Sequence, residues 1–514
     1  MRKSSFEGVV LIVILSACLV AGHGPLLYAQ NSSATISGAV SDSQGARLAN
    51  TRIIVTNTGT GVSTTSATNA DGAYTIASLP IGSYRVEAQR DGFKTSIQGP
   101  IVLTVGQDAS VHFSLTVGQV EEKVEVSADV PTVDTNTSSV GWLVGESQVR
   151  DLPLNGRNFV QLTLLTPGVQ PVPQENTEGA ATLVPFGFGS PQRFSVAGAR
   201  PQGQLFLIDG TDTAGVWGNG TGANLVGTTL GVDGIAEFQV LSNTYTAEYG
   251  GNGAVVNAAI RSGTNEFHGS AYEFARNSAM DAKNYFDPGS SALPFSRNQF
   301  GGTFGGPIRK NKTFFFGNYE GLKQSLTVPV TTIVPDQNFR KGFLPCTSDA
   351  DYNVHCDTTT GLADIGINPG IASYLNAYPI PNGAVATPGT ADNVTALSQP
   401  LHENYGIVRI DHNLSQSNSL FGSYEFDAAK LTALPNPVIT DDDTQRNQYL
   451  TVEERKVISP TILNVGHFSY VRSNINVQTR NNPDLLVVPG AGIQGTINVA
   501  GLNSIGGNDS ATEI

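Results

Sequence analysis

Leu420-Phe421-Gly422-Ser423-Tyr424-Glu425-Phe426-Asp427 alternates in character along an extended chain: Leu420, Gly422, Tyr424 and Phe426 share one face, and Ser423, Glu425 and Asp427 share the other with Phe421. Successive side chains of a strand point to opposite faces, so this segment has an apolar side and a polar side. A strand with lipid on one flank and an aqueous lumen on the other reads in this way. Residues 404–413 repeat the pattern, with Gly406, Val408 and Ile410 opposed to Arg409 and Asp411. Outward from these two, further segments lie near 266–276, 297–306, 312–323, 447–457 and 461–473. Each is about ten residues, the length that crosses a bilayer as a tilted strand.

The connections say more than any one segment. In order they are long, short, very long, short, long and short. The short ones are 306–311, 414–419 and 458–460, and the longest runs from 324 to 403. Tight turns at one end and long loops at the other mark an outer-membrane barrel, with the turns in the periplasm. Phe267, Tyr272, Phe274, Phe314, Phe315, Phe316, Tyr319 and Tyr470 are available for the aromatic girdles of such a wall. Seven strands do not close a cylinder, because an open edge in lipid leaves backbone groups without partners. Plugged barrels use about 22 strands, and no aromatic terminal strand precedes Ile514. The chain is therefore expected to be the N-terminal part of a longer barrel protein, a truncated product whose second half, 263–514, is incomplete wall.

Composition agrees with a chain of strands and turns: 57 of 514 residues are glycine, only 14% are charged, and the formal net charge is −14. That acidity argues against nucleic acid, whose phosphates require a basic face. Residues 1–29 read as an export signal, with Arg2 and Lys3 ahead of an apolar run at 9–20 that is too short to span a bilayer. A lipid attachment at Cys18 is the alternative reading. Beyond the signal only Cys346 and Cys356 remain. In an oxidising compartment they are expected to form a disulfide; a metal pair beside His355 is the alternative, and it lacks a fourth ligand.

Residues 33–118 read as a β-sandwich of the immunoglobulin or prealbumin kind. Strands are expected at 35–40, 52–56, 73–76, 84–88 and 111–115, separated by turns such as Asp71-Gly72 and Asp91-Gly92. The phrases Ile36-Ser37-Gly38-Ala39-Val40-Ser41-Asp42, Thr68-Asn69-Ala70-Asp71-Gly72-Ala73-Tyr74 and Leu79-Pro80-Ile81-Gly82-Ser83-Tyr84 resemble the carboxypeptidase-regulatory-like domain. That resemblance implies an accessory module without catalysis. No histidine has a glutamate three positions later, as a zinc carboxypeptidase would need.

Residues 119–130 form a linker in which Glu122, Lys123, Val124, Glu125, Val126, Ser127 and Ala128 resemble a TonB box. Such a segment pairs as an added strand with the TonB-type periplasmic energy transducer. The alternative is that it is the last strand of the sandwich. From 131 to 262 the chain resembles the α+β plug of a TonB-dependent receptor. The phrases carrying that likeness include Asp151-Leu152-Pro153-Leu154-Asn155-Gly156-Arg157-Asn158-Phe159, Leu205-Phe206-Leu207-Ile208-Asp209-Gly210 and Glu248-Tyr249-Gly250-Gly251-Asn252-Gly253. The resemblance implies polar contacts between plug and wall, for which Arg157, Arg193, Arg200, Glu237, Glu248 and Arg261 are the candidates; their alternative is ordinary solvated surface. Asn298-Gln299-Phe300-Gly301-Gly302-Thr303-Phe304-Gly305-Gly306-Pro307-Ile308 and Arg409-Ile410-Asp411-His412-Asn413 resemble the Oar-like subfamily of these receptors.

The implied function is TonB-driven uptake of a bulky ligand, whether siderophore, oligosaccharide or peptide, across the outer membrane. Surface adhesion or assembly through the sandwich and large loops is the alternative. No enzyme is expected. The stretch 306–313 approaches a phosphate loop but has Asn311 where the second glycine belongs, and Asp441-Asp442-Asp443 reads as a solvated loop tip. No cofactor and no metal site is expected.

Overall fold

The computed structural model describes residues 33–119, 123–126, 139–152, 154–171, 194–200, 203–213, 228, 230–243, 245, 249–250, 253–285, 289–436, 439–459, 462–481, 499, 502 and 510–513. The export signal and Cys18 lie outside them, as do Glu122, Ser127, Ala128, Arg193 and Glu248. The chain is mainly strand throughout.

The N-terminal unit contains β1 (Ala34–Asp42), β2 (Arg52–Asn57), β3 (Ser63–Ala67), β4 (Ala73–Leu79), β5 (Gly82–Gln89), β6 (Thr95–Leu103), β7 (Asp108–Ser110), β8 (Phe113–Leu115) and β9 (Lys123–Val126). One sheet runs β4-β1-β7 with β8 also on β1; the other runs β3-β2-β5-β6-β9. Their facing residues, among them Ile36, Val40, Ile53, Val55, Val86, Ile101 and Phe113, form one buried cluster. The turn at Asp71-Gly72 links β3 of one sheet to β4 of the other. The Asn69 side chain accepts from the Asp71 and Ala73 N–H groups, and Gly72 takes φ +72°, with the Val40 carbonyl 2.8 Å from where a Cβ would sit. Only glycine fits there.

The middle unit contains β10 (Val140–Val144), α1 (Glu146–Asp151), β11 (Val169–Pro171), β12 (Phe194–Val196), β13 (Leu205–Ile208), β14 (Thr211–Asp212), β15 (Ile235–Asn243) and β16 (Val255–Ile260). Its main sheet has the order β10-β15-β16-β13-β14, with β10 at an edge. Phe159 packs against Phe206 and Phe238 at ring-centroid distances of 6.2 and 5.8 Å. The buried cluster around them continues into Phe316, Leu322, Leu401, Tyr405 and Ile407 of the next unit, so the two share one core.

The third unit is a curved antiparallel wall. Its strands begin with β17 (His268–Asn277), β18 (Phe295–Arg309) and β19 (Thr313–Pro335). A long excursion follows, holding β20 (Phe343–Pro345), β21 (Cys356–Asp357), β22 (Leu362–Asp364), α2 (Pro369–Ala377) and β23 (Val385–Thr387). Then come β24 (Thr390–Ser415), β25 (Asn418–Asn436), β26 (Ile439–Ser459), β27 (Ile462–Asn481) and β28 (Ser510–Glu513). The order is β17-β18-β19-β24-β25-β26-β27-β28, with β23 pairing β24. Among the described residues no ladder joins the two ends.

The wall is inside out compared with a soluble sheet. On β25, Phe421, Ser423, Glu425 and Asp427 are buried, while Leu420 and Tyr424 are exposed. Val408, Ile410, Phe304, Phe468 and Tyr470 are likewise exposed, whereas Glu320, Glu403, Arg409 and Glu453 are buried. Exposed apolar and buried polar residues on one strand fit lipid outside and protein or water inside.

Three expectations are corrected. Strand lengths of about ten residues are too short, since β19, β24, β25, β26 and β27 have 23, 26, 19, 21 and 20 residues. Bilayer thickness sets a minimum for crossing, but ladder pairing continues wherever backbone groups would otherwise lack partners. For the same reason Asp441-Asp442-Asp443 is not a loop tip: these residues pair with Ala433, Thr432 and Leu431 within the β25–β26 ladder, and Asp443 is fully buried. The long loop expected between these strands is mostly hairpin. In the excursion between β19 and β24, Cys346 and Cys356 form a disulfide with a Cα–Cα distance of 5.9 Å.

Candidate interface between the middle unit and the wall

The middle unit meets the polar inner face of the wall through buried charges held by short turns. The first turn runs through Leu154, Asn155, Gly156, Arg157 and Asn158, with Gly156 at φ +73° and Arg157 at φ +55°. It carries the Arg157 guanidinium to the wall, where Nε donates to Glu320 at 3.1 Å and a terminal nitrogen donates to Asp233 at 2.6 Å. The guanidinium lies over the Tyr272 ring, 4.1 Å from its centroid. Burial pulls Arg157 down, but Glu320 and Asp233 outweigh it and hold the group above its usual range. Glu320 has no exposed surface. It also accepts from Gln299 at 2.7 Å and from the Gly231 N–H at 2.9 Å.

Gly231 opens a second turn, Gly231-Val232-Asp233-Gly234, and has φ +94°. A Cβ on Gly231 would sit 2.3 Å from the Tyr405 ring, and one on Gly234 would sit 2.7 Å from Ile407. The absence of side chains is what allows the backbone to touch the wall.

A second charge centre lies on β24. Arg409 donates to Asp209 at 2.7 Å and to Asp411 at 2.9 Å, with its guanidinium 4.3 Å from the Phe421 ring centroid. Asp209 also accepts from the Ile260 N–H at 3.1 Å. Nearby, the Thr211 and Thr451 hydroxyls are 2.6 Å apart, and the Thr228 N–H donates to Glu403 at 2.8 Å. Removing one partner of a buried ion pair costs roughly 3–5 kcal/mol, while the intact pair adds little over a packed apolar contact.

The sandwich docks on the turn side of the same assembly. Asn265 donates to the Thr60 carbonyl at 2.7 Å and, through its backbone N–H, to the Gly59 carbonyl at 3.0 Å. Arg455 of β26 donates to the Ser78 carbonyl at 3.1 Å. The Val105 N–H donates to Glu237 at 2.5 Å. Burial pushes the Glu237 carboxyl up to about 7, against the Val105 N–H, which pulls it down.

These contacts revise the candidates for wall contact. Arg157 reaches the wall. Glu237 faces the sandwich instead, because β15 presents it to the Val105 turn. Arg261 stays within the middle unit, donating to Glu146 at 2.9 Å and to the Ile235 carbonyl. Arg200 is exposed, in the turn after β12. Sequence reading missed Asp209, Asp233, Glu320 and Arg409 as partners. Arg409 and Glu320 carried the one available signal, a charge on the inner face of a wall strand. Lys123, Val124, Glu125 and Val126 form β9, which pairs in parallel with β6 as an edge strand of the sandwich. Among the described residues no group of His, Cys, Asp and Glu is placed to hold a metal ion, and no helix is long and apolar enough to cross a membrane.

Residues 259–512 match the outer membrane beta barrel domain family, and residues 35–116 match the carboxypeptidase regulatory-like domain family. Over 316 residues the chain is 26% identical to the TonB-dependent transporter Oar of Myxococcus xanthus, a match covering 60% of this chain and 28% of Oar. The chain is a homologue of the TonB-dependent transporter Oar. This Oar homologue resides in the outer membrane, and its matched part spans less than a third of the length of Oar. Three solved structures overlap with it. The outer membrane transporter YddB of Escherichia coli gives a TM-score of 0.43 at 12% identity, covering 72% of this chain and 43% of that one. FpvA of Pseudomonas aeruginosa gives 0.37 at 12%, covering 68% and 44%. The siderophore receptor PirA of Acinetobacter baumannii gives 0.35 at 15%, covering 66% and 45%.

Proposed function

We propose that this chain supplies the accessory sandwich, the plug and the first part of the barrel of a transporter that takes up a bulky solute across the outer membrane. It has no catalytic role. The middle unit is the plug, and residues 122–128 are the TonB box on which a periplasmic energy transducer pulls. The observation that carries this reading is the Arg409–Asp209 ion pair, 2.7 Å long, buried between wall and middle unit. A permanent core would be served as well by apolar packing. Beside the shared apolar cluster, charged groups that face each other across a movable contact can exchange partners for water when it opens, so this polar part of the seam suits a body that must leave and return.

The test is binding of a TonB C-terminal domain to the full chain in detergent. Binding is expected, and Val124→Pro with Val126→Pro should weaken it at least tenfold, because proline removes the N–H groups that an added strand needs. Absence of binding by the unsubstituted chain in a clean titration would remove the reading.

A further inference from the structure

The coupling segment is already a strand before any partner arrives. β9 lies parallel to β6 in the register Thr95↔Lys123, Ser96↔Val124, Ile97↔Glu125 and Gln98↔Val126. Beneath it Thr95, Ser96 and Ile97 are 1%, 8% and 6% exposed, so the end of the sheet is covered. The ladder stops at Gln98, and β6 continues through Gly99 and Pro100. Pro100 has no N–H to donate, and proline is the residue that sheet edges tolerate. Pro100 thus closes the β6 edge just past the four residues that hold β9.

The store is also fixed in place. Ser78 is bound by Arg455 and Thr60 by Asn265 at the wall, and Val105 by Glu237 of the middle unit, so the sandwich that carries β9 is anchored to both. Parallel pairing is slightly less stable per residue than antiparallel pairing, and only four residues are engaged here. A partner strand that pairs antiparallel and runs on beyond these four residues gains more hydrogen bonds than the β6 ladder supplies.

We propose that the sandwich stores residues 123–126 as its edge strand and that the periplasmic partner takes them by strand exchange, its own strand replacing β6 as their neighbour. This rests on the reading of 122–128 as the TonB box. The sandwich then tunes coupling. The partner's apparent affinity falls by the fraction of time the segment spends free of β6, and the β6 edge is left bare while the partner is engaged.

Amide hydrogen exchange on the full chain, free and saturated with a TonB C-terminal domain, tests this without substitutions, because exchange reports local opening segment by segment. In the free chain, β9 amides that face β6 should exchange at least tenfold more slowly than an unstructured segment. In the complex, residues 123–126 should stay slow while the β6 amides at 95–98 that faced β9 speed up at least tenfold. Fast exchange at 123–126 in the free chain overturns storage. Unchanged protection at 95–98 in the complex overturns exchange and shows addition at the outer edge of β9, with the box reading intact. A chain that does not bind the domain overturns the box reading and this inference together.

Discussion

Arg409 stacks on Phe421 of the neighbouring wall strand, 4.3 Å from the ring centroid, and in that pose directs its guanidinium at the middle unit. The ring and the Asp411 carboxylate hold the cation, so Asp209 meets a preplaced partner rather than a flexible one. Arg409→Ala should therefore loosen the middle unit by roughly 3–5 kcal/mol, leaving Asp209 buried without its charge partner. Faster amide exchange at 205–213 and 255–260 checks it. Adding Asp209→Asn should recover part of the loss, because the two residues act as one pair.

Docking of the sandwich should depend on pH through Glu237. Its carboxyl is pushed up to about 7 in the docked state by burial, so it holds a proton more firmly docked than undocked. Docking is then strongest below the ordinary carboxyl range near pH 4.5 and weakens as pH rises through 7. Protease protection of the Val105 turn should be greater at pH 5.5 than at pH 8. Glu237→Gln should flatten that profile.

Gly231→Ala should damage the interface more than Gly45→Ala, although both residues have φ near +90°. At Gly45 the added methyl meets nothing within 4 Å, whereas at Gly231 it lands 2.3 Å from Tyr405. The first change carries backbone strain of about 1–3 kcal/mol. The second adds overpacking of about 1–3 kcal/mol. Comparing chaotrope midpoints of the two variants measures the difference.

Cys356→Ser should loosen only the excursion between β19 and β24. The bridge closes a loop with a sequence separation of 10, for which chain entropy gives roughly 2–3 kcal/mol. Proteolysis within 346–361 should rise while the protection of β24 and β25 is unchanged.

The wall was legible because one strand must satisfy two solvents, and residues such as Tyr424 and Glu425 record that directly. Where a segment has no such contrast, reading failed. Ser63-Thr64-Thr65-Ser66-Ala67 is a strand without an apolar face. β6 was hidden by its Gly-Pro pair, normally a sign of a break. The partners of Arg157 and Arg409 were illegible for a different reason. Their pairing joins positions 163 and 200 residues apart, and nothing local specifies a distant carboxylate. Glu237 and Arg261 show the converse, since a charge in the middle unit does not announce which neighbour it faces.

The chain enters the middle unit through β10, which is bonded to the sheet on one side only, by β15. A tug arriving from residues 127–139 reaches Val140 opposite Asn243 first and Val144 opposite Phe238 last. Pulled away from β15, these bonds would be loaded one after another and part at lower force than bonds sheared in unison, as a zip opens where a seam would hold. Gentle traction would strip this margin and leave the remaining four strands folded.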